Sequence, residues 1–203
     1  MPRQNRVTPF GGLVAVPARG TFMGNRGCLH DAEGRIRRAH RGRRWIICTL
    51  EFKGRRLPLA DPGRNTQLFF LDEATALAAG HRPCGECRRA AYRAFVDAWV
   101  AGNRGTLTSS GQIDELDPVL HRQRLAPRFS APLDTLPDGV LIVLDGDSRP
   151  YLVLGDALLP WAPTGYEARI PRPSGVVEIL TPECIVNALR AGYRPALHPS
   201  AAE

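Results

Sequence analysis

The stretch Leu71-Asp-Glu-Ala-Thr-Ala-Leu-Ala-Ala-Gly80-His-Arg-Pro-Cys84-Gly-Glu-Cys87-Arg-Arg89 constrains this chain more than any other. It reads as a short helix opened by Asp72, whose carboxylate can accept the free N–H groups of the first turn. Gly80 supplies the left-handed exit. The chain then runs through His81-Arg82-Pro83 into a Cys-x-x-Cys knuckle. Two thiolates at that spacing can face one ion, and Cys28 and Cys48 lie upstream to complete a tetrahedral shell, for which zinc is the natural occupant. A redox Cys-x-x-Cys would instead open a helix after a strand in a thioredoxin-like unit, a context this stretch lacks. Cys48 sits within a strand-like run between Ile47 and Thr49 and is the expected third ligand. The fourth is Cys28 or His30, both in a glycine-flanked turn, and the residues themselves leave that choice open. Cys184 falls in a helical pattern of the second half and reads as core.

The same stretch resembles the metal-binding domain of the Ada DNA-repair proteins. The matching residues are Phe69, Phe70, Asp72 to Gly80, His81, Arg82, Pro83, Cys84 and Cys87. The likeness is close over about twenty residues and loose over the first ninety or so. It implies a zinc ion held by four cysteines, with Cys28 preferred as the fourth, an affinity for DNA, and a role in repair or damage recognition. In that family an early Cys-x-x-x-Cys pair also supplies a methyl-accepting thiolate. Here Gly24-Asn-Arg-Gly-Cys28 keeps the spacing but has glycine at the first position, so methyl transfer is not carried over.

Charge is unevenly distributed. Residues 1–93 hold 18 of the 27 basic residues and 7 of the 20 acidic ones, leaving that half at +11 and the remainder at −4. The run from Arg35 to Arg56 contains Arg35, Arg37, Arg38, Arg41, Arg43, Arg44, Lys53, Arg55 and Arg56 against Glu51 alone. Only Lys53 is a lysine, which fits a coding bias toward arginine, but such a bias does not explain why acids are scarce in the same half. A basic half around a zinc knuckle is the electrostatic footprint of a nucleic-acid binder. Arg82, Arg88 and Arg89 flank the knuckle and are the first expected phosphate contacts, with Arg43, Arg44, Lys53, Arg55 and Arg56 behind them. Such contacts give affinity and salt dependence rather than base choice.

The apolar fraction of 43% and charged fraction of 23% are those of a globular protein. No apolar run approaches the ~20 residues of a membrane span. The N-terminus lacks the hydrophobic stretch of a signal peptide. Five cysteines, two of them in a knuckle, suit a reducing compartment. The expectation is a cytoplasmic protein with no membrane association.

The pattern predicts an α+β protein. Residues 1–101 form a basic, zinc-stabilised region: a small antiparallel sheet (Leu13–Val16, Trp45–Phe52, Arg55–Leu59, Thr66–Leu71) with helices. Residues 102–112 are polar and glycine-rich and read as a linker. Residues 113–203 form an acidic, mainly β region ending in a helix. Tyr92, Phe95, Val96 and Trp99 fall at i, i+3, i+4 and i+7 and mark the buried stripe of an amphipathic helix over 88–101. A shorter helix follows near Asp117 to Leu125, with Pro118 in its first turn. Gly139–Gly146 and Tyr151–Leu154 alternate strand and turn signals as a hairpin does. Leu158–Trp161 and Gly175–Leu180 add strands. Leu180 to Pro195 echoes Leu71 to Pro83, each ending in Ala-Gly-aromatic-or-His-Arg-Pro, with Ala196 in place of Cys84.

Enzyme signatures are sparse. The chain has no Walker loop, no Gly-x-Ser-x-Gly and no His-Glu-x-x-His, and Pro83-Cys84-Gly-Glu-Cys87 lacks the His-x-Glu that zinc deaminases pair with it. The leading expectation is a zinc-binding protein that binds nucleic acid, most readily DNA. The alternative is an enzyme acting on nucleic acid, with zinc structural and with Asp114, Glu115, Asp117 and the His121-Arg-Gln-Arg124 run as a candidate catalytic group.

Overall fold

The computed structural model describes residues 1–54, 59, 63–104 and 115–202. Arg55, Arg56, Asp114 and residues 105–112 of the expected linker lie outside the described residues. The chain is α+β, with two sheets and four α-helices among the described residues.

The first sheet forms from β1 (Arg6–Val7), β2 (Leu13–Val14), β3 (Phe22–Asn25), β4 (Ile46–Cys48), β5 (Leu68–Phe70) and, beyond helix α1 (Glu73–Ala78), β6 (Arg82–Pro83). Its order is β2-β1-β5-β3-β4-β6. The sheet is antiparallel except where β1 meets β5 and β4 meets β6, so it is mixed rather than purely antiparallel. Two glycines let its strands approach. A Cβ on Gly24 would lie 2.0 Å from the carbonyl oxygen of Ile46, and one on Gly20 would lie 2.1 Å from that of Phe70. Neither position can carry a side chain.

Helix α1 is short and buried along its whole length. Asp72 caps it as its sequence predicts, accepting hydrogen bonds from the N–H and Oγ1 of Thr75, both at 2.8 Å. Gly80 ends it with φ of +79°. The amides of Gly80 and His81 return to the carbonyls of Leu77 and Ala76, the paired bonds of a Schellman end.

Helix α2 (Arg89–Gly102) buries Phe95, Val96 and Trp99, as the stripe predicts, with Tyr92 half-buried. Helix α3 (Leu116–Leu125) follows. The second sheet contains β7 (Phe129–Pro132), β8 (Leu141–Val143), β9 (Pro150–Leu154), β10 (Ala157–Ala162), β11 (Gly165–Tyr166), β12 (Ile170–Pro171) and β13 (Val176–Ile179). Its path is β11-β10-β9-β8-β13-β7, with β12 on the side of β10, and every pairing is antiparallel. Helix α4 (Glu183–Arg190) follows, and a short 3₁₀ turn (Pro199–Ala201) lies beyond it.

One hydrophobic cluster runs from Val7 of the first sheet and Leu29 of the segment after β3 through Phe95 and Trp99 to Ile185, Leu189 and Tyr193. Helix α2 lies against α4 closely enough that a Cβ on Gly102 would be 2.3 Å from the carbonyl of Asn187. Asn103 locks this crossing by donating to the carbonyls of Trp99 at 2.8 Å and Cys184 at 3.0 Å. The two sheets therefore share a core, and the helix that follows the knuckle is part of it.

Candidate metal centre

Strand register gathers three of the five cysteines. Ile46 and Ile47 of β4 pair in parallel with Arg82 and Pro83 of β6, so Cys48 and Cys84 come level at the same end of the two strands. The Cys84 amide donates to the carbonyl of Ile47 at 2.9 Å and fixes the knuckle there. The knuckle turn then brings Cys87 back. The sulfur atoms of Cys48, Cys84 and Cys87 lie within 4.8 Å of one another. Thiolates sharing a tetrahedral zinc at ~2.3 Å sit roughly 3.8 Å apart, so small side-chain adjustments bring these three onto one ion. The three cysteines can hold a metal.

The electrostatics favour one thiolate first. The Cys48 thiol donates toward Cys84, and the amides of Cys87 and Glu86 also point at that sulfur, the latter at 3.4 Å. Together they hold the Cys84 thiol below its ordinary range against the opposing effect of burial. The same Cys84 contact, reinforced by burial, pushes Cys48 up. Backbone N–H groups aimed at sulfur are what a knuckle needs to carry concentrated negative charge.

Cys28 is not in this cluster. Met23 of β3 is the residue opposite Cys48, and the chain runs from Met23 through Asn25 away from the knuckle before reaching Cys28. Cys28 lies beyond the end of β3, past a bend at Arg26 and Gly27, and is not among the sulfurs that lie within 4.8 Å of one another. The half-buried Cys28 thiol instead donates toward the carbonyl of His30, 3.6 Å away. His30 does not substitute for it: its Nδ1 lies 2.5 Å from Thr66 Oγ1 in a buried pair. Cys184 is buried within α4 as core, and burial raises its thiol to about 12.

A cleft of about 900 Å³ opens beside the three cysteines. Met23, Glu51, Phe52, Asn65, Gln67 and Phe69 are among the residues that line it, and apart from Phe69 no motif in the sequence marks any of them. They meet there because β3, β4 and β5 are neighbours in the sheet, a long-range pairing that local pattern cannot reveal.

The expected phosphate contacts separate into two groups. Arg82 and Arg88 are turned inward. Arg82 makes a two-pronged pair with Asp117 of α3, at 3.0 and 2.8 Å. Arg88 does the same with Glu73 of α1, at 2.6 and 2.9 Å, with the two side chains 8% and 2% exposed. Both guanidiniums flank the knuckle as expected, but they are committed to carboxylates of the protein. Arg43, Arg44, Lys53 and Arg89 remain exposed, Arg44 standing 3.9 Å from Asp117 at the surface. The candidate catalytic group around α3 likewise has internal partners. Asp117 holds Arg82, Gln123 accepts the Cys184 amide at 2.8 Å, and Arg124 donates to the carbonyls of Gly80 and Arg43.

His81, which replaces the aromatic residue of the Ada-type pattern, is fully buried. Its Nε2 accepts from Arg26 Nε at 3.1 Å and its Nδ1 donates to the Ala76 carbonyl at 3.2 Å. Those partners fix a neutral ring protonated on Nδ1, and burial followed by the charges of Arg26 and Arg124 depresses its basicity. Its rings of contact are Trp45 and Phe70, with centroids 5.2 and 4.7 Å away. His81 belongs to the core behind the knuckle, not to its ligand set.

Among the described residues, no helix is long and apolar enough to cross a membrane. No family model, curated protein or solved structure matches the chain.

Proposed function

We propose that this chain is a zinc-binding protein that engages nucleic acid, DNA in the first instance, across the basic face carried by its N-terminal half. The observation that supports the reading is the convergence of Cys48, Cys84 and Cys87 at the wall of a large cleft. Thiolate donors favour zinc among the common divalent metals of a cell. Arg43, Arg44, Lys53 and Arg89 are exposed on the same half of the molecule and supply the positive field that attracts a phosphate backbone. A repair or damage-recognition role rests on the resemblance to Ada-type metal-binding domains.

The cleft favours a second reading. Structural zinc sites are closed by four protein ligands, whereas three ligands leave a position open to solvent or substrate. A three-thiolate site facing a cleft of this size suits an enzyme acting on nucleic acid.

The first experiment is elemental analysis of protein purified without chelator, with Cys48→Ser, Cys84→Ser and Cys87→Ser alongside Cys28→Ser. Zinc near one equivalent, lost in the first three and kept in Cys28→Ser, supports the site. Metal-free, folded wild-type protein overturns it. DNA binding is then followed by fluorescence anisotropy against salt. Affinity that falls steeply with salt supports the binding reading, turnover of a labelled duplex or single strand supports the enzyme, and neither behaviour removes nucleic acid as the partner.

A further inference from the structure

A second site lies around Trp45, lined by the end of α1, the chain just beyond β3, the end of α3 and the start of α4. It begins with two arginines that, among the described residues, make no close salt bridge with a carboxylate, although Asp117 acts on Arg124 from a longer distance. Arg26, just beyond β3, is 2% exposed. Its Nε donates to His81 and its Nη1 to the carbonyl of Gly11 at 2.8 Å, while its Nη2 is buried with no hydrogen-bond partner. Arg124, in the last turn of α3, donates through both terminal nitrogens to the carbonyls of Gly80 and Arg43, each at 2.6 Å, while its Nε is buried without a partner. Both guanidiniums lie against the indole of Trp45, with centroid distances of 4.4 and 4.2 Å. Among the described residues neither makes an ion pair with a carboxylate.

This arrangement is electrostatically incomplete. Carbonyl dipoles and an aromatic face solvate a guanidinium in part, but they cancel no charge. Two like charges held against one ring repel, and burial together with that repulsion depresses Arg26 to about 9, while burial takes Arg124 to about 10. The imidazoles add to the asymmetry. His40 and His121 stand edge to face at 5.1 Å, and the Nδ1 of each is buried with no partner.

Arg26, His40, Trp45 and Arg124 line a cavity of about 370 Å³ whose walls also include Arg128 and the first turn of α4. Arg128 is already paired with Glu178 at 2.8 Å and stands nearer the surface. Glu183, the carboxylate on the wall, is exposed and pairs with neither buried arginine.

We propose that this cavity is a binding site for a phosphate monoester, with Arg26 and Arg124 as its charge-bearing donors and His40 as a third donor. The three unpartnered nitrogens are shielded from water in this structure, and the side chains that carry them must turn to meet a ligand; set on three separate segments of chain, they suit a group with three terminal oxygens better than a flat carboxylate. The depth of Arg26 selects further. An internal phosphodiester, flanked on both sides by sugars, is too broad to reach a guanidinium that is nearly sealed from solvent, whereas a terminal phosphate enters end-on. The remaining cavity volume takes part of the group esterified to it. The ligand is therefore a small phosphorylated molecule or the phosphorylated end of a nucleic-acid strand.

The test uses the full chain in phosphate- and sulfate-free buffer. Inorganic phosphate, a 5′-mononucleotide, succinate, and a short single-stranded oligonucleotide with either a 5′-phosphate or a 5′-hydroxyl are titrated by calorimetry and by the rise in melting temperature. Saturable one-to-one binding of phosphate is expected, weakened about tenfold or more in Arg124→Met and in Arg26→Met. His40→Ala, at a half-buried loop position, should weaken it less and retain the fold. Circular dichroism reports whether each variant is folded. Preference for the 5′-phosphorylated strand over its 5′-hydroxyl counterpart identifies a nucleic-acid end as the ligand. Binding of phosphate and mononucleotide with no such preference identifies a small molecule. The proposal is overturned if the wild type shows no saturable phosphate binding, if succinate binds more tightly than phosphate, or if folded Arg124→Met binds phosphate as the wild type does.

Discussion

Replacing Glu73 by glutamine should be among the most damaging isosteric changes available to this protein. Glu73 is almost wholly buried, and its carboxylate accepts four hydrogen bonds: two from Arg88, one from the hydroxyl of Tyr193 at 2.6 Å, and one from the Ala196 amide at 2.9 Å. Glutamine keeps the shape but offers one acceptor oxygen, and it turns an N–H₂ toward groups that are themselves donors. At least two charge-assisted bonds are lost, each worth about 1.5–3 kcal/mol. Arg88 is left as a buried cation without its partner, a situation that typically costs about 3–5 kcal/mol in all. For a chain of this length that corresponds to a fall in melting temperature of roughly 6–20 °C. Urea unfolding followed by circular dichroism gives the free-energy change directly. Tyr193→Phe removes one donor without altering packing and should cost about 1.5–3 kcal/mol. In Glu73→Leu/Arg88→Met both charges go together, so the double variant should be more stable than the sum of its single changes predicts. A Glu73→Gln protein within about 1 kcal/mol of wild type would refute the reasoning, because a buried carboxylate with four donors cannot be that dispensable.

Three further outcomes follow from the same geometry. His81 is buried neutral while the unfolded chain binds its proton near pH 6.5, so stability should fall as pH drops below that value, by up to about 1.4 kcal/mol per pH unit from this residue. His81→Gln preserves both hydrogen bonds without a titrating group, and comparison of the two pH–stability curves should show a shallower acid limb in the variant. Leu189→Ala opens the interface between α4 and α2, where Leu189 is wholly buried, and should cost about 2–5 kcal/mol in urea unfolding. Chelator treatment should lower the melting temperature of wild type and Cys28→Ser alike but leave Cys84→Ser unchanged, a pattern a thermal melt with and without chelator reads directly.

Much of the local structure was legible. The Asp72 cap, the Gly80 exit, the buried stripe of α2 and the β8–β9 hairpin are each set by residues within a few positions of one another, so the chain's own periodicity marks them. Trp45–Phe52 reads as one strand, yet the ladder ends with the Met23–Cys48 pair, and Lys53 and Gly54 then turn with φ of 52° and 67°. Cys84 and Cys87 come together through the knuckle itself. Cys48 joins them, and Cys28 does not, through a strand register that spans dozens of residues. A spacing motif carries no information about which end of a strand a residue will occupy. The pairing of Arg82 with Asp117 and of Arg88 with Glu73 was hidden for the same reason: charge counting cannot separate a surface arginine from one folded onto a distant acid. The echo between the two helices has a structural counterpart, since α4 ends as α1 does. Gly192 and Tyr193 return to Leu189 and Ala188 just as Gly80 and His81 return to Leu77 and Ala76.

The acids that open α1 also dictate an order of events during synthesis. Asp72 finds the Tyr166 hydroxyl at 2.8 Å and the His198 amide at 3.1 Å, and Glu73 finds Tyr193 and Ala196. Every one of these partners emerges from the ribosome more than ninety residues after the carboxylate that needs it. At typical elongation rates of about 5–20 residues per second the knuckle helix waits on the order of 5–25 s with two carboxylates that cannot yet be buried. During that interval the thiols beside it are made but not enclosed, so the nascent chain passes through a period in which oxidation or capture of the wrong ion competes with folding.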